Sequence, residues 1–432
     1  MNFTRRSLIK KTVFGAGTLG LKALATGLPA AFVSRPLAAV AQDFTCSDKS
    51  RAQYLIIATS SAGDPLNANV PGTYAFPDIA HSPDPRMAAA NFTLGGVPVT
   101  AAQVWSTLPQ WVLDRTAFFH HATLTNNHAN LPKVMRLMGS TARQEMLPSI
   151  LAKYLAPCFG TVQVDPVSAG AGDILTIDGR DLPNVAPTGL RDLLARPNTP
   201  LLRLQATRDQ ALDEIYTVLK DRGTKAQKLY LDSLVTSRKQ ARSLGSDLVD
   251  MLAGIKNDGS DGQVIAAVSL IKMNVTSVVT IRLNFGGDNH TDPDLARSEA
   301  PQHESGILAI TQLQTQLQAA GLADQVTFAM YNVFGRTLKK NGVNGRDHWG
   351  SHHATVLMGK NIKAGVVGGL EPKNNDYYAT TIDAKTGRSG GDIPFAETLS
   401  AMGKTLGAAV GLKPEVMDRY IAGGKVVQGA LV

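Results

Sequence analysis

Two kinds of apolar run alternate along the chain. Short, mostly uncharged stretches at 53–59 (QYLIIAT), 116–123 (TAFFHHAT), 277–283 (SVVTIRL) and 325–331 (QVTFAMY) have the composition of strands buried on both faces. Between them, apolar residues recur at three- and four-residue steps. That spacing predicts helices over 101–113, over 133–156 with a break at Pro148, over 208–256 with a break near Gly223, and over 264–272, 307–320, 395–410 and 414–422. Residues 71–98 and 371–393, rich in Gly, Asn and Pro, read as long loops, and 157–207 as a subdomain edge. Strand, helix, strand in succession predicts an α/β fold: a mostly parallel central sheet with helices on both faces, spanning 42–432, with a helical insertion around 185–262. No internal repeat is present. In such sheets ligands gather beyond the carboxyl ends of the strands. Each predicted strand here ends in small polar residues: Ser60 to Asp64, Leu124 to His128, Asn284 to His290, and Asn332 to Gly335.

Charge changes the picture at the N-terminus. Of the 43 basic residues six (Arg5, Arg6, Lys10, Lys11, Lys22 and Arg35) fall in residues 1–41, which hold no acid; 37 then stand against 35 acidic residues in the remainder, a net of +2. A near-neutral body gives no electrostatic reason to expect nucleic acid or an anionic membrane as partner. Thr4-Arg5-Arg6-Ser7-Leu8-Ile9-Lys10 is close to the twin-arginine export pattern, followed by a Gly/Ala-rich apolar run and the small-x-small site Ala39-Val40-Ala41. The alternative is an N-terminal anchor. Lys22 and four glycines interrupt the run, whereas a spanning helix needs about 20 strongly apolar residues. The expectation is passage through the twin-arginine machinery, cleavage near Ala41, and a periplasmic or secreted protein without membrane attachment. Of the two cysteines, Cys46 and Cys158, either a disulfide or two buried thiols is expected; no Cys-x-x-Cys exists for a thiolate metal site.

Three of the nine histidines, His348, His352 and His353, crowd into six residues directly after Asp347. Asp288 and His290 stand one residue apart behind Gly286-Gly287, so an extended segment turns both the same way. On a helical turn, His348 and His352 would share a face as paired ligands do. Carboxylate with imidazole suits zinc, manganese or iron. The bland readings are loop hydrogen bonding for Asp64 and His128, structural roles for His120 and His121 inside an apolar strand, and helix capping for His303. No Gly-x-Gly-x-x-Gly follows a strand in the body of the chain, so no organic cofactor is expected, and no Gly-x-Ser-x-Gly sits in a strand–turn–helix setting.

Several of these pieces together resemble a family. The leader, Gly63-Asp64-Pro65-Leu66-Asn67, Gly286-Gly287-Asp288-Asn289-His290, Phe334-Gly335-Arg336-Thr337, Gly345-Arg346-Asp347-His348-Trp349 and Gly365 to Gly369 are similar, in that order, to an uncharacterised bacterial family of exported proteins, a domain of unknown function placed in the alkaline phosphatase and sulfatase superfamily. The resemblance implies an alkaline phosphatase-like fold with one or two divalent metals, Asp64, Asp288, His290, Asp347 and His348 as ligands, and hydrolysis of a phosphate or sulfate ester. Arg336 or Arg346 would steady a small anionic substrate. The chain departs from the family at Asn332-Val333, where Ser-Glu is usual, at Asn127-His128, where Ser-His is common, and in lacking a Trp before Asp288. An acid and the obvious hydroxyl nucleophile are therefore missing, with Thr125 and Thr123 as the nearby hydroxyls. Two functions follow: a metal-dependent hydrolase with an altered site, or a non-catalytic binding or assembly protein that keeps the fold.

Overall fold

The computed structural model describes residues 51–163, 165–170, 175–182, 184–194, 214–218, 220–243, 246–340 and 344–432. The expected leader over 1–41, Cys46 and part of the expected helical insertion lie outside them. The main sheet is built from β1 (Tyr54–Ser60), β2 (Thr116–His121), β3 (Val167–Ser168), β4 (Val278–Arg282), β5 (Val326–Asn332), β6 (His353–Met358) and β7 (Gly365–Val367). Their order is β7-β2-β6-β5-β1-β4-β3. β1 runs parallel to β4 and β5, β4 to β3, and β2 to β7; β6 alone is antiparallel, to both β5 and β2. The result is a mixed α/β architecture around a seven-stranded, mostly parallel sheet.

Every residue of β1 is buried. That follows from helices on both sides: Ile56 and Ala58 pack in one core with α2 (Ser260–Lys272) and α3 (Glu299–Ala319), while Leu55 and Ile57 pack in the other with α1 (Leu147–Leu155) and α4 (Thr398–Ala409). An uncharged strand sequence is the price of two covered faces, and each fully buried aliphatic side chain contributes roughly 1.5–3 kcal/mol. α3 starts earlier than its apolar spacing predicts, because the Asp292 carboxylate accepts from the main-chain N–H groups of Arg297, Ser298 and Glu299 and so satisfies donors that the helix leaves open.

Other expectations need correction. Residues 71–98 are not all loop: Ala89–Leu94 and Val97–Ala102 form a hairpin, and Leu370–Lys373 pairs with Asp376–Ala379 in another. Both turn through two residues of positive φ, Gly95-Gly96 at +55° and +83° and Asn374-Asn375 at +50° and +63°, which match hairpin twist. The helix expected over 101–113 is a short 3₁₀ turn, Gln103–Thr107, and one turn of α-helix, Gln110–Leu113. The 133–156 stretch gives Leu131–Met135 and then α1, which starts at Leu147 and holds Pro148 in its first turn. Cys158 follows α1 and is disulfide-bonded. Among the described residues no helix is long and apolar enough to cross a membrane.

Candidate metal centre

Because β1, β2, β4 and β5 run the same way, their following loops share one edge of the sheet. β6 runs the other way, so the segment before it, carrying Asp347 and His348, arrives at that same edge. Five segments distant in sequence thus meet there. Ser61 to Asp64 follow β1, Thr125 to His128 follow β2, Asp288 and His290 follow β4, Phe334 to Arg336 follow β5, and His348–Trp349 pairs antiparallel with Gly335–Arg336.

His128, Asp288 and His348 each bring one ligand atom within 4.8 Å of the other two, a group that could hold a metal ion. The tautomers fit that use. His128 Nδ1–H donates to the Ser61 carbonyl at 2.7 Å and His348 Nδ1–H to the Asn126 carbonyl at 2.7 Å. A carbonyl can only accept, so in the neutral ring each Nε2 is the nitrogen with the lone pair, and the two Nε2 atoms lie 3.0 Å apart. Two imidazole ligands on one tetrahedral ion would be separated by roughly 3.3 Å, given metal–nitrogen distances near 2 Å. Burial lowers the His348 pKa below its ordinary value, reinforced by Arg336 and the two neighbouring imidazoles and opposed by the Asn126 carbonyl, which favours the neutral ring a metal needs. Asp288 is half exposed, so the group opens to solvent.

His290 flanks this group. Its Nε2 is 2.8 Å from His348 Nε2 and 3.2 Å from Asp288 Oδ1, and its Nδ1–H donates to Asp347 Oδ1 at 3.2 Å. Asp288 and His290 do stand side by side, but a bend at Asp288 and a turn at His290, not extended backbone, bring them together.

Phe334, Gly335 and Arg336 form a bracket beneath the centre. The Phe334 ring packs against His128 and His348, with centroids 4.9 and 4.5 Å apart. It fits only because residue 63 is glycine: a Cβ there would lie 1.9 Å from Phe334. Gly335 admits the close approach of the His352 carbonyl and the Asn67 side chain. Arg336 is fully buried; its guanidinium donates to the carbonyls of Ala62 and Gly63, to Asp288 Oδ1 at 3.0 Å and to His290 Nε2 at 3.2 Å.

The other residues expected at the site serve elsewhere. Asp64 is wholly buried and ties three loops together, accepting from Gly287 N at 2.8 Å, from Asn332 Nδ2 at 2.8 Å and from the Phe285 amide. Burial pushes its carboxyl up to about 6, against the pull of those amides and of Arg336. Arg346 is also fully buried, paired with Glu299 at 2.9 Å and donating to the carbonyls of Ala80, Thr337 and Leu338, so no donor is left for a substrate. Thr125 Oγ1 accepts from Asn127 N and Asn130 Nδ2, shaping the turn that presents His128. His348 lies on a strand, not a helical turn, and His352 faces inward, its Nε2 2.8 Å from His120 Nδ1. His121 and His353 are buried in β2 and β6, and His303 sits inside α3, bonded to the Glu299 carbonyl, rather than capping it. His128 is the member that sequence reasoning undervalued. Its signal was its place after β2, matching Asp64 after β1.

The sequence model of a family described as a protein of unknown function, DUF1501, matches residues 117–382. The chain belongs to this family. The DUF1501 span contains His128, Asp288, His290, Arg336, Asp347 and His348, and excludes Asp64. No curated protein matches the chain. Two solved structures show a distant likeness: Ps i-CgsB in complex with k-i-k-neocarrahexaose, 12% identical, and Ps i-CgsB, 11% identical. Each comparison covers 87% of this chain and 75% of the other at a TM-score of 0.31, a level that carries nothing about fold or substrate.

Proposed function

We propose that this DUF1501 protein is an exported, metal-dependent hydrolase of phosphate or sulfate esters, built on an alkaline phosphatase-like sheet. The observation that carries the reading is the convergence of His128, Asp288 and His348, with the second nitrogen of each imidazole held by a main-chain carbonyl. Two imidazoles and one carboxylate leave coordination positions open, the pattern of catalytic rather than structural sites, and suit zinc, manganese or iron. A divalent ion held there supplies Lewis-acid polarisation of an ester oxygen or a water. The protein's own part is to fix the ligands through Ser61, Asn126 and Arg336 and to keep the centre open at Asp288. With the Thr125 oxygen accepting two hydrogen bonds in its turn and Thr123 wholly buried, this reading assigns the attack to water rather than to a side chain. Export through the twin-arginine route to the periplasm or beyond rests on Arg5-Arg6 and the Ala39 to Ala41 site; Arg5→Lys with Arg6→Lys should leave the protein in the cytoplasmic fraction.

A second reading, a binding or assembly protein that keeps the fold, is favoured by one observation: Arg336 and Arg346 are both buried and fully engaged, so neither reaches out to an anion. Metal analysis of protein purified without chelator, followed by chromogenic phosphate monoester, phosphodiester and sulfate ester assays, separates the two. Turnover that disappears in Asp288→Ala and His348→Ala supports the hydrolase. Bound metal without turnover on any ester class favours the binding protein, and absence of metal removes the hydrolase reading.

A further inference from the structure

The polar side chains at the centre do not form one ligand set. His128, Asp288 and His348 share the compact geometry, whereas His290 and Asp347 are bonded to each other and His290 Nε2 already accepts from Arg336. Arg336 is not a mobile arm. Its side chain has no exposure, and the Ala62 and Gly63 carbonyls fix its guanidinium from one side while Asp288 and His290 fix it from the other. Three carboxylates, Asp288, Asp64 and Asp347, act on this one positive charge. A guanidinium stays protonated in proteins, so the charge is permanent. Three carboxylates against one guanidinium leave an excess of negative charge that a single divalent ion balances. A second divalent ion would have to displace the guanidinium or stand beside it, with like-charge repulsion in a partly buried setting.

We propose that Arg336 is the resident second cation of this centre, so that the protein binds one divalent ion, between His128, Asp288 and His348, and Arg336 positions Asp288 and His290 beside it. The proposal rests on the metal-centre reading above and adds its stoichiometry and the role of the arginine.

The test is a metal count. Chelator-stripped full-length protein is incubated with excess Zn²⁺ or Mn²⁺, desalted, and its bound metal measured by atomic emission. One equivalent is expected. Arg336→Met, which frees Asp288, His290 and Asp347 from the guanidinium, should raise bound metal toward two equivalents, and Arg336→Lys, which keeps a positive charge there, should stay at one. His290→Gln, which removes one acceptor of the guanidinium but leaves its bonds to Ala62, Gly63 and Asp288, should also keep one equivalent, with affinity reduced by about tenfold, as expected for a neighbour of the ligands. Two equivalents in the unaltered protein overturn the inference and leave the metal centre standing. No bound metal overturns both. A folded Arg336→Met protein that still takes one equivalent, or loss of all metal in His290→Gln, overturns the inference whatever the unaltered protein binds.

Discussion

His128 and His348 hold their Nε2 atoms 3.0 Å apart although 220 residues separate them in the chain. Each ring commits its Nδ1–H to a main-chain carbonyl and turns its Nε2 toward the other ring, where a cation shared by the two neutral imidazoles would sit. His128→Gln and His348→Gln remove an imidazole without opening a large void. Each should weaken divalent-metal binding by more than about 100-fold, beyond the 10–100-fold usual for loss of a supporting partner. Competition against a chelating indicator dye measures this, and unchanged affinity would remove these two from the ligand set.

Gly63 supports the same pair from below. A methyl group there would collide with Phe334, and its φ of +65° is left-handed backbone that an L side chain adopts with strain. Gly63→Ala should cost about 2 kcal/mol or more in denaturant unfolding and displace the ring that packs on both histidines. Phe334→Leu should keep the fold and weaken metal binding about tenfold. If Gly63→Ala melts like the parent protein, the bracket is looser than its geometry implies.

Arg346 and Glu299 are an ion pair with no exposure on either side chain. Asn69 and Asn289 also donate to Glu299, at 2.6 and 2.8 Å, so its charge is fully solvated by protein. Arg346→Met leaves that charge uncompensated and should destabilise by about 3–5 kcal/mol. Adding Glu299→Gln should restore part of the loss, and a double-mutant cycle with additive effects would show that the pair is not coupled.

Acid should unfold this protein early. Burial lowers His120, His121 and His303 from 6.5 to about 4, and lowers His352 and His353 well below 6.5. The unfolded chain takes up these protons as pH falls below 6.5 and the folded chain does not, so stability is full above 6.5 and drains away toward pH 4. Asp64, raised to about 6, acts in the opposite sense: it adds stability at low pH that is lost as pH rises from about 4 to about 6. Five imidazoles act in one direction and one carboxyl in the other, so the imidazoles set the trend. Denaturant midpoints should fall steadily from pH 6.5 to 4. His303→Met, which removes an imidazole whose Nε2 has no protein partner, should lessen the slope.

The strands were legible because burial on both faces excludes charge, and the Asp288 and His290 pair was legible from its place just after a strand, although a bend rather than extended backbone brings the two together. What stayed hidden depends on partners far away in sequence. Arg336 and Arg346 look like exposed loop arginines until the carbonyls of Ala62, Gly63 and Ala80 surround them. Asp64 looks like a ligand until the amides of Phe285, Gly287 and Asn332 claim it. His348 and His352 looked like one helical pair, but Gly350 packs its backbone against Thr125 and the two rings leave on separate errands. The two hairpins were masked by half-exposed strands whose alternation is weak, although Gly95-Gly96 and Asn374-Asn375 mark their turns.

The reversed direction of β6 also makes the centre a non-local construction. Among the described residues β2 joins the sheet only through β6 and β7, both of which follow it by more than two hundred residues. Residues 353–358 lie between β5 and β2 and join the strand before His128 to the rest of the sheet. That same insertion brings His348 to the rim. His128 and His348 therefore meet only through pairings distant in sequence, the kind of contact whose loop-closure cost slows folding.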